Sequence, residues 1–70
     1  MKLNRIKEVL GEKGVSQIWL AKKMGRSFST VNAYSYNRKQ PSLEILYRIS
    51  KLLQVRIIDL IEDNHIKVSN

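Results

Sequence analysis

A serine stands at the head of three separate helix-patterned runs, at Ser16, Ser27 and Ser42, and glycines close the stretches before the first two, at Gly14 and Gly25. A serine hydroxyl can accept a free N–H at a helix start, and glycine takes the left-handed turn that ends one. Punctuation this dense leaves room only for helices of about two to three turns. Helices so short do not persist alone in water and hold only by burying their apolar faces on one another. The chain is therefore expected to form a compact all-α domain.

Periodicity places five helices. The first runs from about Asn4 to Lys13, with Ile6, Val9 and Leu10 as its stripe and Leu3 as a further candidate. The second opens at Ser16 and carries Leu20, Ala21 and Met24 to Gly25. A third runs from the Ser27 cap to about Tyr36 and is closed by Asn37, a residue that tolerates the left-handed conformation. After the polar loop RKQP, Ser42 caps a fourth helix with Leu43, Leu46, Tyr47, Ile49, Ser50 and Leu53 as its apolar pattern. Ile57, Ile58, Leu60 and Ile61 suggest a short fifth helix, with Leu60 and Val55 closing the core. Residues 1–62 form the expected domain. Residues 63–70 are a tail in which Ile66 and Val68 alternate, as a small strand or a frayed end, and His65 is read as solvent-facing.

Composition narrows the function. At 70 residues the chain is one domain, and it has no cysteine and a single histidine, so neither a disulfide framework nor a zinc site is expected. No apolar stretch approaches a membrane span, and MKLNRIKEVLGEKG is amphipathic rather than a signal peptide, so the expected location is cytoplasmic. No phosphate-cradling glycine loop, nucleophile–base pair or clefted carboxylate pair is found, and no enzymatic activity or cofactor is expected. The formal net charge is +7. Its arrangement says more than its size. Between Lys13 and Leu43 there are cations at Lys13, Lys22, Lys23, Arg26, Arg38 and Lys39, and not one acidic residue. That one-signed centre predicts a polyanionic partner.

The third helix holds the chemistry. At about 100° per residue, Phe28, Ser29, Asn32, Ala33 and Tyr36 share an arc of about 140°, while Val31, Tyr34 and Thr30 fall on the far side. Val31 and Tyr34 can pack. The shared arc offers hydroxyls, an amide, a methyl and aromatic rings, and no charge. Such groups suit base edges: Asn pairs with adenine, Ser with several bases, Ala or Phe with a thymine methyl. Arg26, Arg38 and Lys39 stand at the two ends, where phosphates flank a groove. Neutral readers between cationic anchors match the division between specifying and positioning contacts.

These residues resemble the phage-repressor and Cro type of helix-turn-helix domain, also called the xenobiotic-response-element type. The resemblance rests on SQ-x-x-LA at Ser16, Gln17, Leu20 and Ala21, Gly25 in the turn, and S-x-x-TV at Ser27, Thr30 and Val31. Pro41 with Ser42, and Leu53, Val55 and Leu60, complete it, over about residues 4–62. It implies a five-helix, lambda-repressor-like fold whose third helix enters the major groove of double-stranded DNA. It also implies homodimers on half-sites about 34–36 Å apart. By the same resemblance Ser27 joins Phe28, Ser29, Asn32 and Ala33 at reading positions, and Gln17 contacts a phosphate and steadies the reading helix. Arg38, Lys39 and Gln40 fall on the phosphate-contacting loop. Lys23, Arg26, Thr30 and Asn37 complete the expected phosphate set. Two places depart from the family: a frequent Arg–Glu pair is replaced by Leu10 and Ser35, and Asn37 stands where glycine is usual.

Three apolar features stand outside this scheme. Trp19, beside Ile18, points away from the second helix's stripe and either covers a neighbouring loop or the tail, or marks a protein contact. Ile57, Ile58 and Ile61 are candidates for a two-fold dimer contact, the alternative being burial within the monomer. Tyr47 is read as a packing residue. The expected function is a sequence-specific transcriptional regulator, a repressor acting by occupying DNA in a setting such as phage immunity, restriction–modification or toxin–antitoxin control. The alternative is an antitoxin or adaptor that holds a protein partner, such as a toxin, through Ile18, Trp19 and the fifth helix.

Overall fold

The computed structural model describes residues 1–63. Its elements are α1 (Ile6–Lys13), α2 (Gln17–Met24), α3 (Phe28–Ser35) and α4 (Leu43–Leu53), then a 3-10 turn at Ile57–Leu60. All three serines cap as expected. Their hydroxyls accept from Trp19 N–H, Thr30 N–H and Ile45 N–H respectively, at 3.0, 3.2 and 3.2 Å. Gly25 sits at φ 66°, and Asn37 at φ 58° takes the same left-handed conformation. Asn37 thereby does the stereochemical work of the usual glycine.

Each element sends one side chain completely out of solvent: Ile6, Leu20, Val31, Ile49 and Leu60 are each 0% exposed. Burying a side chain of this size contributes roughly 1.5–3 kcal/mol, so this five-way contact holds the short helices together. Val15, Trp19, Leu46, Leu52 and Val55 pack around it. Leu10 and Ser35 are both buried, and the Ser35 hydroxyl donates to Val31 O at 2.9 Å within its own helix. No charge is stranded where the family's ion pair would sit. Arg48 of α4 donates to Met24 O at 3.3 Å, tying α4 to the open end of α2.

Three expectations are corrected. The fifth helix is a single 3-10 turn. Arg56 N–H donates to the Asp59 carboxylate at 3.0 Å, and the chain then turns extended at Ile61. Extension there serves a pairing that the sequence pattern did not reveal. Asn4 and Ile61 form an isolated antiparallel bridge, with Arg5 N–H donating to Leu60 O and Glu62 N–H to Leu3 O, both at 2.8 Å. Because Leu3 and Asn4 are used in that bridge, α1 starts at Ile6 rather than Asn4, and Leu3 lies half outside the core. On α4 the buried stripe is Ile45, Ile49 and Leu53; Leu43 and Tyr47 face solvent. Tyr47 packs instead under a cation, with Lys51 Nζ 5.2 Å from its ring centroid. Trp19 is half-buried against the core. The tail positions Ile66 and Val68, and His65, lie outside the described residues.

Candidate nucleic-acid interface

Helices α2 and α3 are joined by Gly25, Arg26 and Ser27 alone. Gly25 N–H and Arg26 N–H reach back to Lys22 O and Ala21 O at 3.2 and 3.0 Å, so the turn is closed by its own backbone. Val31 and Tyr34 bury the inner side of α3. Phe28 and Tyr36 stand half-exposed, at 50% and 49%, at the two ends of its outer side. Ser29 is exposed between them, and Asn32 and Ala33 are partly accessible. The structure thus brings Phe28, Ser29, Asn32 and Ala33 to one outward face, with Tyr36 at its C-terminal cap.

At the start of α3, the Ser27 hydroxyl is hydrogen-bonded to Ser29 Oγ at 3.2 Å and Thr30 Oγ1 at 3.0 Å while capping the helix. Ser27 is therefore held by α3 itself. In the middle, the Asn32 amide is oriented from both ends. Its Nδ2 donates to Gln17 Oε1 at 3.0 Å, and its Oδ1 accepts from the Arg38 guanidinium. Three elements converge there: the first residue of α2, the centre of α3 and the loop after it. The Gln17–Asn32 hydrogen bond links the start of α2 to the centre of α3.

The cations do not all behave alike. Arg26, Arg38 and Lys39 are exposed around α3. Lys23 is drawn along α2 to Trp19, with its ammonium 5.9 Å from the indole centroid. Within the expected phosphate set, the side chains of Asn37 and Gln40 turn to the N-terminal segment. The Asn37 carbonyl oxygen accepts from Leu3 N–H, Asn4 N–H and Gln40 Nε2 at 2.8, 2.9 and 3.0 Å, and Asn4 Nδ2 donates to Gln40 Oε1 at 2.8 Å. Their role is to hold the N-terminal segment. Asn4 itself, only 3% exposed, also donates to Tyr34 O at 2.9 Å and accepts Ile6 N–H at 3.1 Å. Sequence reading did not single out Asn4. The available signal was an Asn two residues ahead of a helix, where its side chain can bond to backbone two positions on.

Away from α3, Ile58 and Ile61 are 66% and 42% exposed, while Ile57 is partly buried. Ile18 is 59% exposed. No helix among the described residues is long and apolar enough to cross a membrane.

This geometry can be set beside known proteins. No curated protein matches the chain. Among solved structures it is similar to the crystal structure of a Bacteroides fragilis protein described as a candidate DNA-binding protein. Identity is 45% and the TM-score 0.86, over 89% of this chain and 100% of that one. The model of the Cro/C1-type helix-turn-helix DNA-binding domain matches residues 5–65. Its span takes in the α2–turn–α3 unit and the whole five-way core, and the chain belongs to the Cro/C1-type helix-turn-helix DNA-binding family.

Proposed function

We propose that the protein is a sequence-specific regulator of transcription that lays α3 in the major groove of double-stranded DNA and represses by occupying its operator. The observation that carries this reading is the outward face of α3, uncharged along its length and bracketed by Arg26, Arg38 and Lys39. Phe28, Ser29, Asn32 and Ala33 are the readers, Tyr36 closes their arc, and Ser27 fixes the helix start. Asn32 need not let go of its neighbours to read a base. An amide has two N–H donors and a carbonyl oxygen with two lone pairs. One donor is given to Gln17 and one lone pair to Arg38, so one of each remains for the N7 and N6–H₂ edge of adenine. The reader is held in place before DNA arrives, which lowers the ordering entropy of binding. Gln17, Lys23, Arg26, Thr30, Arg38 and Lys39 supply the phosphate side, together with the backbone around Asn37 and Gln40.

The apolar Ile58 and Ile61, with Ile57 beside them, support a homodimer, because a two-fold interface presents one patch to its own copy. Selection from a random duplex pool at about 0.15 M salt tests both parts, since non-specific phosphate binding is already weakened there. Enrichment of an inverted repeat with half-sites about one helical turn apart is expected. A single enriched half-site would remove the dimer, and unselective binding would remove the reading role of α3. A second reading, an antitoxin or adaptor gripping a protein partner, is favoured by one observation: exposed Ile18 beside half-buried Trp19 on α2. Co-purification lost on Trp19→Lys but kept on Asn32→Ala would support it.

A further inference from the structure

The C-terminal end of α3 carries a cation that belongs to neither α3 nor the loop after it. Lys7, on the first turn of α1, places its ammonium 4.9 Å from the Tyr36 ring centroid, and the Arg38 guanidinium carbon lies 5.7 Å from the same centroid. Lys7 is exposed and makes no ion pair among the described residues. The acidic group nearest in sequence, Glu8, is engaged by Lys2. Beside the ring lies an open cavity of about 300 Å³, lined in part by Lys2, Lys7, Glu8, Ser35 and Tyr36. Tyr36 is half-exposed and ends the same arc that holds Ser29, Asn32 and Ala33.

We infer that Lys7, Tyr36 and Arg38 form a phosphate-binding site for a backbone phosphodiester of the bound duplex, so that the DNA footprint runs past α3 onto α1. This rests on the DNA-binding reading above. A free lysine side chain loses rotamer entropy when it is fixed on a phosphate. The quadrupole of the Tyr36 ring already holds Lys7 near its contact position, and does the same for Arg38. Two cations are gathered at one ring with no carboxylate joined to either of them among the described residues, and the Glu8 carboxylate at the cavity is engaged by Lys2. Arg38 serves twice: it steadies the Asn32 amide and fronts the phosphate, so the base reader and the end anchor share one side chain. Lys7 is then an anchor, and Tyr36 a positioning residue that acts through it.

The test uses the full chain and its selected operator. Lys7→Gln keeps an exposed polar side chain and removes only the charge. It should weaken binding about three- to fivefold at ~0.15 M salt, equally on matched and mismatched sites, and flatten the log–log salt slope by about 0.9. Neutral methylphosphonates scanned one at a time along the half-site flanks locate the phosphate. One position should weaken the wild type and leave Lys7→Gln unchanged. Tyr36→Leu, which removes the ring, should lose part of the Lys7 effect, so that adding Lys7→Gln to it weakens binding less than adding it to the wild type. Unchanged affinity and slope for Lys7→Gln, in a protein whose Lys39→Ala variant loses both, overturns the site while sparing the DNA reading. Loss of the Lys7 effect to inorganic phosphate at matched ionic strength, with no methylphosphonate position responding, would mean a free-anion site and also overturn it. A wild type that binds no duplex removes the DNA reading, and this inference with it.

Discussion

Asn37 straps the N-terminal segment to the end of α3 by gripping Asn4. Its Oδ1 accepts Asn4 N–H at 2.9 Å and its Nδ2 donates to Asn4 O at 3.2 Å, a two-way bond across a sequence separation of 33 residues. The same residue turns the backbone at φ 58°. These two duties can be separated. Asn37→Gly keeps the turn and drops the strap, leaving Leu3 and Asn4 N–H without their acceptor, and should destabilise the fold by about 1–3 kcal/mol. Asn37→Ala loses the strap and adds roughly 1–2 kcal/mol for a left-handed Cβ. Urea unfolding should therefore rank wild type above Asn37→Gly above Asn37→Ala. A glycine variant as stable as the wild type would show that the strap contributes nothing.

Acid should weaken the same end of the molecule. Glu8 titrates below its ordinary value of 4.5, first because the Lys2 ammonium hydrogen-bonds its carboxylate. Asp59 titrates below its ordinary 3.8, first because Arg56 N–H donates to it. A carboxylate whose pKa is lower in the folded than in the unfolded state contributes stability that is complete above the ordinary value. That contribution is lost as pH falls through the depressed folded value. Through these two groups thermal midpoints should thus not vary with pH near neutrality, and should begin to fall below about pH 4.5. Combining Glu8→Gln with Asp59→Asn should lower the neutral-pH midpoint and flatten the acid decline. An acid limb as steep as the wild type's would locate the sensitivity elsewhere.

Exposed Ile58 and Ile61 lie beside Leu60, which is 0% exposed. A charge at Ile58 can therefore test association without entering the core. Ile58→Glu should keep the thermal transition of the monomer and shift sedimentation from dimer to monomer at micromolar concentration. Binding to a two-half-site operator should weaken by at least about tenfold, since the second half-site no longer gains from linkage. A variant that still sediments as a dimer would place the interface on another surface, such as the outer side of α4, where Leu43 and Tyr47 are 70% and 52% exposed.

The caps, the buried stripes of the first three helices and the outward side of α3 were legible because each depends on neighbours close in sequence. Ser16, Ser27 and Ser42 cap residues three positions on, and Val31 and Tyr34 face inward by helical period alone. What escaped was set by distant partners. Asn4 has no local mark of burial, yet its amide meets Tyr34 and Gln40 in a segment that the bridge to Ile61 holds in place. The same pairing pulls Ile61 into extended backbone and shortens the expected fifth helix to one turn. On α4, Leu43 and Tyr47 fit an apolar period as well as Ile45 does. The positions of α1, α2 and the 3-10 turn decide which side is covered. Lys7 was unremarkable as a basic residue on an amphipathic helix until the fold set it against Tyr36.

Readers and anchors should separate in one pair of variants. On the proposed reading Asn32→Ala should relax selection at one base pair, costing about 1–3 kcal/mol against the preferred sequence and little against others. Lys39→Ala should weaken every duplex alike and lower the salt slope by about one. Gln17→Ala offers a finer discrimination. Gln17 holds Asn32 at 3.0 Å, so its loss should lower preference at the same base pair that Asn32 reads, as well as overall affinity. In a double-mutant cycle Gln17→Ala and Asn32→Ala should then couple by about 0.5–3 kcal/mol on the preferred operator and be additive on a duplex changed at that position. Strict additivity on both would mean that the Gln17–Asn32 contact does not survive in the complex and that α2 touches DNA independently of the reader.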